Sequence, residues 1–176
     1  LGVGLSRPGE AFLGLGTAMV VYEVARADAP SPDLRPLTGP YPGGLRYHLA
    51  LCDTACAVLE WAKSLLAPGS TWQGVFDEAF SVPPGSGGLR MDIRFGGRSD
   101  RGGALWGIRL HHDRRHVFRA AIEGIACTAR ELLDMLDVRE GVRVAGIGSS
   151  NAELMRVIAD TLPDVQHVEQ LARSAG

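Results

Sequence analysis

The run GALWGIRLHHDRRHVFRAAIE, residues 103–123, opens as an apolar strand and closes as a helix. Ala104 to Leu110 is expected to run as a strand through Gly107 into a histidine-rich turn. A helix is expected from about Asp113, continuing past Glu123 to about Leu136. One face of that helix carries Val117, Ala121, Ile125, Leu132 and Leu136, with Ile122, Ala129 and Leu133 beside it. Glu123 lies inside this helix next to Gly124. A buried carboxylate needs a partner, so Glu123 is expected to hold a neighbouring loop in place.

Working toward the N-terminus, residues 96–103 form a polar glycine-rich loop, and Leu89 to Phe95 alternates as a one-sided strand. Residues 82–88, VPPGSGG, are a loop. Thr71 caps a short helix reaching Phe80. An earlier helix is expected from an N-cap at Asp53 to Leu66, its apolar positions Cys56, Leu59, Ala62 and Leu66 recurring at helical steps. Gly44 to Leu51 reads as a strand, and the proline-rich residues 26–43 as a loop or weak edge excursion. AFLGLGTAMVVYEVA, residues 11–25, is a hairpin turning at Gly14-Leu15-Gly16-Thr17. Toward the C-terminus, Gly141 to Ile147 is a buried strand. A glycine turn follows, then a helix from Ala152 to Leu162 closed by Pro163, and a last strand from Val165 to Val168. Strands mixed with helices in this order specify an α/β fold with a mixed sheet flanked by helices.

The 176 residues suit a single domain, 1–176, and 45% hydrophobic with 22% charged residues suits a folded core. A net charge of −2 gives no whole-chain reason to expect nucleic acid or an anionic membrane. No apolar run approaches the ~20 residues of a membrane helix. No signal-peptide pattern opens the chain, which fits a cytoplasmic protein. Three cysteines, Cys52, Cys56 and Cys127, lack paired zinc spacing and read as free thiols. Cys52 and Cys56 share a face if their stretch is helical. His111, His112 and His116 sit beside three arginines without a carboxylate pattern, so a solvated turn is expected and no metal site. Leu1 is not a start methionine, and no closing element follows QLARSAG, so the chain reads as truncated at both ends.

Two glycine turns suit a ligand. At Gly14 to Thr17 backbone N–H groups can approach an anion, and the Thr17 hydroxyl adds a donor; any hairpin turn also uses glycine. At AGIGSSNAELMRVIAD, residues 145–160, a strand ends at a helix N-terminus, whose orphan N–H groups and dipole favour a negative or polar ligand. Ser149, Ser150 or Asn151 equally serves as a helix cap. No Gly-Lys-Ser/Thr follows, which excludes a P-loop, and no Gly-x-Ser-x-Gly occurs.

Four blocks resemble the FGGY family of carbohydrate kinases, in the right order and across nearly the whole chain. The first is 103–123, with Gly103, Leu105, Gly107 and Ile108 followed by His116, Val117 and Ala120 to Glu123. The others are GEAFLGLGTAMVVYEV (9–24), TACAVLEWAKSLL (54–66) and GIGSSNAELMRVIADTLPDV (146–165). The resemblance implies an actin-like ATPase (ribonuclease H-like) domain, the C-terminal nucleotide-binding half of a two-domain sugar kinase. It implies ATP and Mg²⁺ as cofactors, with γ-phosphate transfer to a sugar, a pentulose such as xylulose. The sugar is expected in the cleft with the missing N-terminal domain, and a homodimer is left open. Gly16 and Thr17 match positions that contact phosphates, and Asn151 one that contacts the adenine end. Cys56 and Glu60 fall on nucleotide-proximal helix positions, and Gly146, Ile147, Gly148 and Ser149 on the glycine turn. The resemblance implies no catalytic residue in this chain, because the family's aspartate base falls just before Leu1.

Three departures stand out. Ala55-Cys56 replaces a glycine pair, Ile147 replaces a second glycine, and the loop before the signature lacks the family's Gly-Glu-Arg-Thr-Pro run. The first two add side chains near the expected nucleotide. They motivate an alternative, a kinase-like regulatory or binding module with weakened nucleotide contacts and no catalysis. Residues 103–123 themselves are expected to pack strand and helix, holding the Gly16-Thr17 and Asn151 turns about one nucleotide.

Overall fold

Alternation along residues 11–25 gives a hairpin with one face in the core. Its strands are β1 (Ala11–Leu15) and β2 (Met19–Ala25), paired antiparallel with Leu15 opposite Met19. Leu13, Leu15, Met19 and Val21 are fully buried on that face. The structure is a computed structural model. It describes residues 4–29, 37–95, 102–138 and 141–162, and the backbone of 167–170. The hairpin joins a six-stranded mixed sheet in the order β3 (Leu37–Tyr41), β4 (Leu45–Cys52), β2, β1, β7 (Gly141–Ala145), β8 (His167–Gln170). β3 (Leu37–Tyr41) is the edge excursion, and β4 (Leu45–Cys52) pairs antiparallel with both β2 and β3. β7 (Gly141–Ala145) runs parallel to β1, and β8 (His167–Gln170) parallel to β7. Val165 and Pro163 lie outside the described residues, as do 96–101 of the expected polar loop.

Helices α1 (Cys56–Leu66), α2 (Trp72–Phe80), α3 (Arg114–Met135) and α4 (Ala152–Thr161) flank the sheet. α3 is central and packs against each of the other three. Its buried residues, Ala120, Ala121, Ile122, Ile125, Ala129, Leu132 and Leu133, include most of the predicted stripe; Val117 is only half-buried. Small side chains recur among them, so neighbouring elements approach closely. At Gly124 a Cβ would lie 2.5 Å from the Met91 carbonyl oxygen. A helix-interior glycine costs about 1 kcal/mol against alanine, and here it admits the backbone of strand β5 (Arg90–Asp92).

Several boundaries differ from the sequence reading. The strand entering the signature is only β6 (Ala104–Trp106), paired antiparallel with β5 (Arg90–Asp92) in a separate two-stranded sheet. Gly107 ends β6 with φ +76°, and a Cβ there would sit 2.4 Å from Gly88 O. Beyond it, Ile108 and Leu110 are apolar yet solvent-exposed. Asp53 does not cap α1. Ala55 occupies that position without a side-chain cap, and backbone carbonyls of the hairpin serve instead. Cys52 ends β4 while Cys56 begins α1, so the two thiols do not share a helical face. β7 stops at Ala145 because Gly146, at φ +114°, turns the chain away. The Thr71 cap holds, accepting from Gly74 N at 3.1 Å. Among the described residues no helix is long and apolar enough to cross a membrane.

Candidate functional site

The hairpin turn is built first. Gly16 N donates to Ala18 O at 3.0 Å, which tightens the turn and leaves Thr17 exposed. The start of α1 docks on it: Ala55 N donates to Thr17 O (2.8 Å), Cys56 N to Gly16 O (3.1 Å) and Ala57 N to Thr17 O (3.4 Å). A helix start carries orphan N–H groups that need acceptors. Here two hairpin carbonyls supply them, so the start of α1 is fastened to the turn.

The second turn closes on the same point. β1 and β7 are parallel, with Gly14 opposite Ala145, so both chains leave the sheet side by side. A Cβ on Gly146 would lie 2.3 Å from Leu15 O, and one on Gly148 would lie 2.8 Å from Cys56 Sγ and 3.1 Å from Leu15 Cβ. Both glycines are therefore required by close packing. A 3₁₀ turn, Ile147–Ser150, follows. The buried Ser149 donates its hydroxyl to Gly146 O at 2.8 Å. Asn151 is the N-cap of α4, its Oδ1 accepting from Leu154 N at 2.8 Å, which leaves its amide NH₂ to donate. Ile147 stands out from the turn, 64% exposed.

Of the nine residues the sequence singled out, Gly16, Thr17, Cys56, Gly146, Ile147 and Gly148 belong to segments in mutual contact around Leu15. Asn151 and Ser149 follow on the same turn, and Ser149 acts on the turn's own backbone. Glu60 is exposed one helical turn beyond Cys56. Leu15 itself, and the carbonyl docking of α1, were not foreseen. A leucine inside an apolar strand carries no signal of its own.

The two turns lie outside the carboxyl ends of two parallel strands, the usual ligand position in α/β sheets. The α4 N-terminus adds a favourable dipole for negative charge. Burial pushes the Cys56 thiol up, so it stays protonated and adds no charge. None of the nine residues is cationic, and Glu60 is acidic. A polyphosphate at this wall would need its charge neutralised from elsewhere, as in a metal complex.

Around 103–123 the groups are structural. Glu123 accepts from Arg119 Nε (2.7 Å), Gly85 N (2.9 Å) and Ser86 Oγ (3.2 Å). It holds the neighbouring loop as expected. Ser86 is fully buried at φ 49° between glycines of positive φ. The three histidines cluster beside Gly87, with ring centroids 4.3–6.1 Å apart. His112 accepts from Arg109 N at 2.9 Å, and His116 Nδ1 lies 2.9 Å from Asp113 Oδ1. The Arg115 guanidinium beside Asp113 holds its carboxyl well below the usual range. Among the described residues no group of three or more His, Cys, Asp or Glu has a geometry that holds a metal.

Comparisons with known proteins agree with this architecture. No family model matches the chain. The xylulose kinase of Lactococcus lactis subsp. lactis (strain IL1403) is 29% identical over 173 residues, 91% of this chain and 34% of that protein. The L-fuculokinase of Salmonella typhi is 33% identical over 124 residues, 66% of this chain and 25% of its own length. Among solved structures, xylulose kinase from Rhodospirillum rubrum superposes with a TM-score of 0.85 at 28% identity, covering 99% of this chain and 37% of that one. The homologues of this chain are FGGY carbohydrate kinases. Its fold is their actin-like ATPase fold, with the mixed sheet flanked by helices. Plasmodium falciparum glycerol kinase, solved with ADP, shares that fold at 20% identity, with a TM-score of 0.76 over 90% of this chain and 34% of that one. The chain spans about a third of the length of the xylulose kinases it matches.

Proposed function

We propose that residues 1–176 are a single domain, the nucleotide-binding C-terminal half of an ATP-dependent sugar kinase of the FGGY type, acting on a pentulose such as xylulose. One observation carries the reading. The Gly16-Thr17 turn, the start of α1 and the Gly146–Asn151 turn converge around Leu15, beyond the ends of two parallel strands. Bound ATP supplies the transferable γ-phosphate, and Mg²⁺ held by its phosphates supplies the positive charge this wall lacks. The exposed Thr17 hydroxyl donates to a phosphate oxygen. The Asn151 amide donates to the base end, and Glu60 lies near the nucleotide one helical turn beyond Cys56. The buried cluster under Leu15 keeps these groups in register, because positioning and charge neutralisation are most of what phosphoryl transfer asks of a protein. The base that deprotonates the sugar hydroxyl belongs to polypeptide outside these residues, and the sugar sits between the two halves. We place the protein in the cytoplasm.

Calorimetric titration of the chain with Mg²⁺-ATP tests the reading, alongside an assay for ATP-dependent phosphorylation of xylulose. Binding without sugar phosphorylation is expected; phosphate transfer by the 176 residues alone would overturn the half-site assignment. A second reading is a regulatory or binding module without catalysis. It is favoured by the Ala55, Cys56 and Ala57 N–H groups, already engaged by the hairpin carbonyls, and by the Ile147 side chain. No detectable ATP binding, with and without sugars, would select it.

A further inference from the structure

We infer that His112 is a proton-released clasp: its neutral ring ties the turn at Arg109 to the loop at 85–88, and a second proton undoes the tie. The inference rests on hydrogen-bond geometry and stands apart from the nucleotide reading. His112 Nδ1 accepts from Arg109 N at 2.9 Å, and its Nε2 lies 3.2 Å from the Gly87 carbonyl oxygen. A backbone N–H only donates, and a carbonyl oxygen only accepts. Nδ1 must therefore keep its lone pair and Nε2 must carry the proton, so these two contacts fix both tautomer and charge. A further proton goes to Nδ1, the one ring nitrogen with a lone pair. It turns the acceptor of the Arg109 N–H into a second donor, and that bond is lost.

The surroundings give the charged ring nothing in return. His111 and His116 have ring centroids 4.3 and 5.0 Å from that of His112. Atoms of all three rings lie 3.2–3.6 Å from where a Cβ on Gly87 would stand. Arg109 and His111 are the other titratable groups on the turn. At the start of α3, Asp113 faces His116 Nδ1 at 2.9 Å and accepts from Arg115 Nε at 2.8 Å. Arg114 is paired with Glu78 of α2 at 2.7 Å. Further along α3, Glu123 is bonded to Arg119 and to Gly85 and Ser86 of the loop. The loop's own residues, Gly85, Ser86, Gly87 and Gly88, carry no charge. Asp113 is engaged by His116 and Arg115, and both nitrogens of His112 face backbone. A protonated His112 thus gains no counter-ion from these contacts and loses an acceptor. Histidine ordinarily titrates between about pH 5 and pH 8. The clasp is closed above that window and opens as pH falls through it. Opening loosens the turn that bears the exposed Ile108 and Leu110, while Glu123 still holds Gly85 and Ser86.

Long-range ¹H–¹⁵N NMR of the imidazoles and amide exchange at Arg109, followed across that pH window, test the inference. Circular dichroism checks the fold at each pH and in each variant. At the alkaline end His112 is expected to show the Nε2–H tautomer. Corrected for intrinsic exchange, protection at Arg109 is expected to fall about fivefold as the ring takes its second proton, the worth of one hydrogen bond. Protection at Gly85 should stay level. His112→Asn offers the Arg109 N–H a carbonyl oxygen that does not titrate, and should keep its protection level across the window. His111→Gln should leave the fall in place. An Nδ1–H tautomer at the alkaline end, level Arg109 protection while His112 titrates, or an undiminished fall in His112→Asn would each overturn the inference.

Discussion

Replacing Glu123 with alanine removes one carboxylate and strands three donors at once. Arg119, whose side chain is 7% exposed, loses the acceptor 2.7 Å from its Nε; Gly85 N and the buried Ser86 hydroxyl lose theirs. Breaking a buried ion pair from one side costs about 3–5 kcal/mol, because the remaining charge stays desolvated. Arg119 keeps its stacking on Phe80, 4.7 Å from the guanidinium carbon to the ring centre, which compensates part of that cost. The expected loss is therefore about 3 kcal/mol, or roughly 6–12 °C in melting temperature for a chain of this size. The Ser86 loop adds a second signature. Residues 85–88 all have positive φ, and without Glu123 the non-glycine residue among them loses its side-chain hydrogen bond and keeps only backbone ones. Urea unfolding followed by circular dichroism measures the first effect, and amide exchange at Gly85 the second. Glu123→Gln should recover part of the loss by keeping an acceptor. The Arg119→Met, Glu123→Ala double variant should be more stable than the sum of the singles predicts, since no stranded charge remains. A loss under about 1 kcal/mol, or strictly additive single effects, would refute the argument that this pair clamps the loop to α3.

Two further outcomes follow from buried groups elsewhere. Glu23 faces His48 at 3.4 Å across β2 and β4, and burial together with the nearby Asp137 pushes its carboxyl up to about 7. A carboxyl raised in the folded state contributes stability that is complete below its unfolded value near 4.5 and is lost as pH rises through about 7. Burial and Arg46 lower His48, which opposes this as pH falls. Glu23→Gln should thus gain stability relative to the parent between pH 5 and pH 8, by up to about 3 kcal/mol; an unchanged difference across that range would contradict the assignment. Gly146→Ala should cost at least about 2 kcal/mol through its φ of +114° and its collision with Leu15 O, and should abolish Mg²⁺-ATP binding. Thermal unfolding and ATP titration of the variant check both effects.

The elements were legible where side-chain periodicity is strong. The Leu13–Val21 hairpin alternates cleanly, and the α3 stripe recurs along most of the helix, so type and approximate position follow from burial alone. The Thr71 cap and the Glu123 clamp were also legible, because a hydroxyl before a helix and a carboxylate inside one each demand a partner. Errors fell where a boundary depends on a distant backbone. β6 stops at Gly107 because Gly88 O lies against it, and α1 starts three residues after Asp53 because Gly16 O and Thr17 O accept its first N–H groups.

The candidate site divides in the same way. Its glycines, Thr17 and the Asn151 cap are local features, since turns and helix starts need particular residues within a few positions. That Cys56 would meet Gly148, that Leu15 would seat both turns, and that Glu23 would face His48 depended on strand order and register. Such contacts join residues 25 to 133 positions apart. Residue type by itself specifies what each group can bond, and only the folded chain, by excluding water and bringing distant backbone within contact, selects which bond is made.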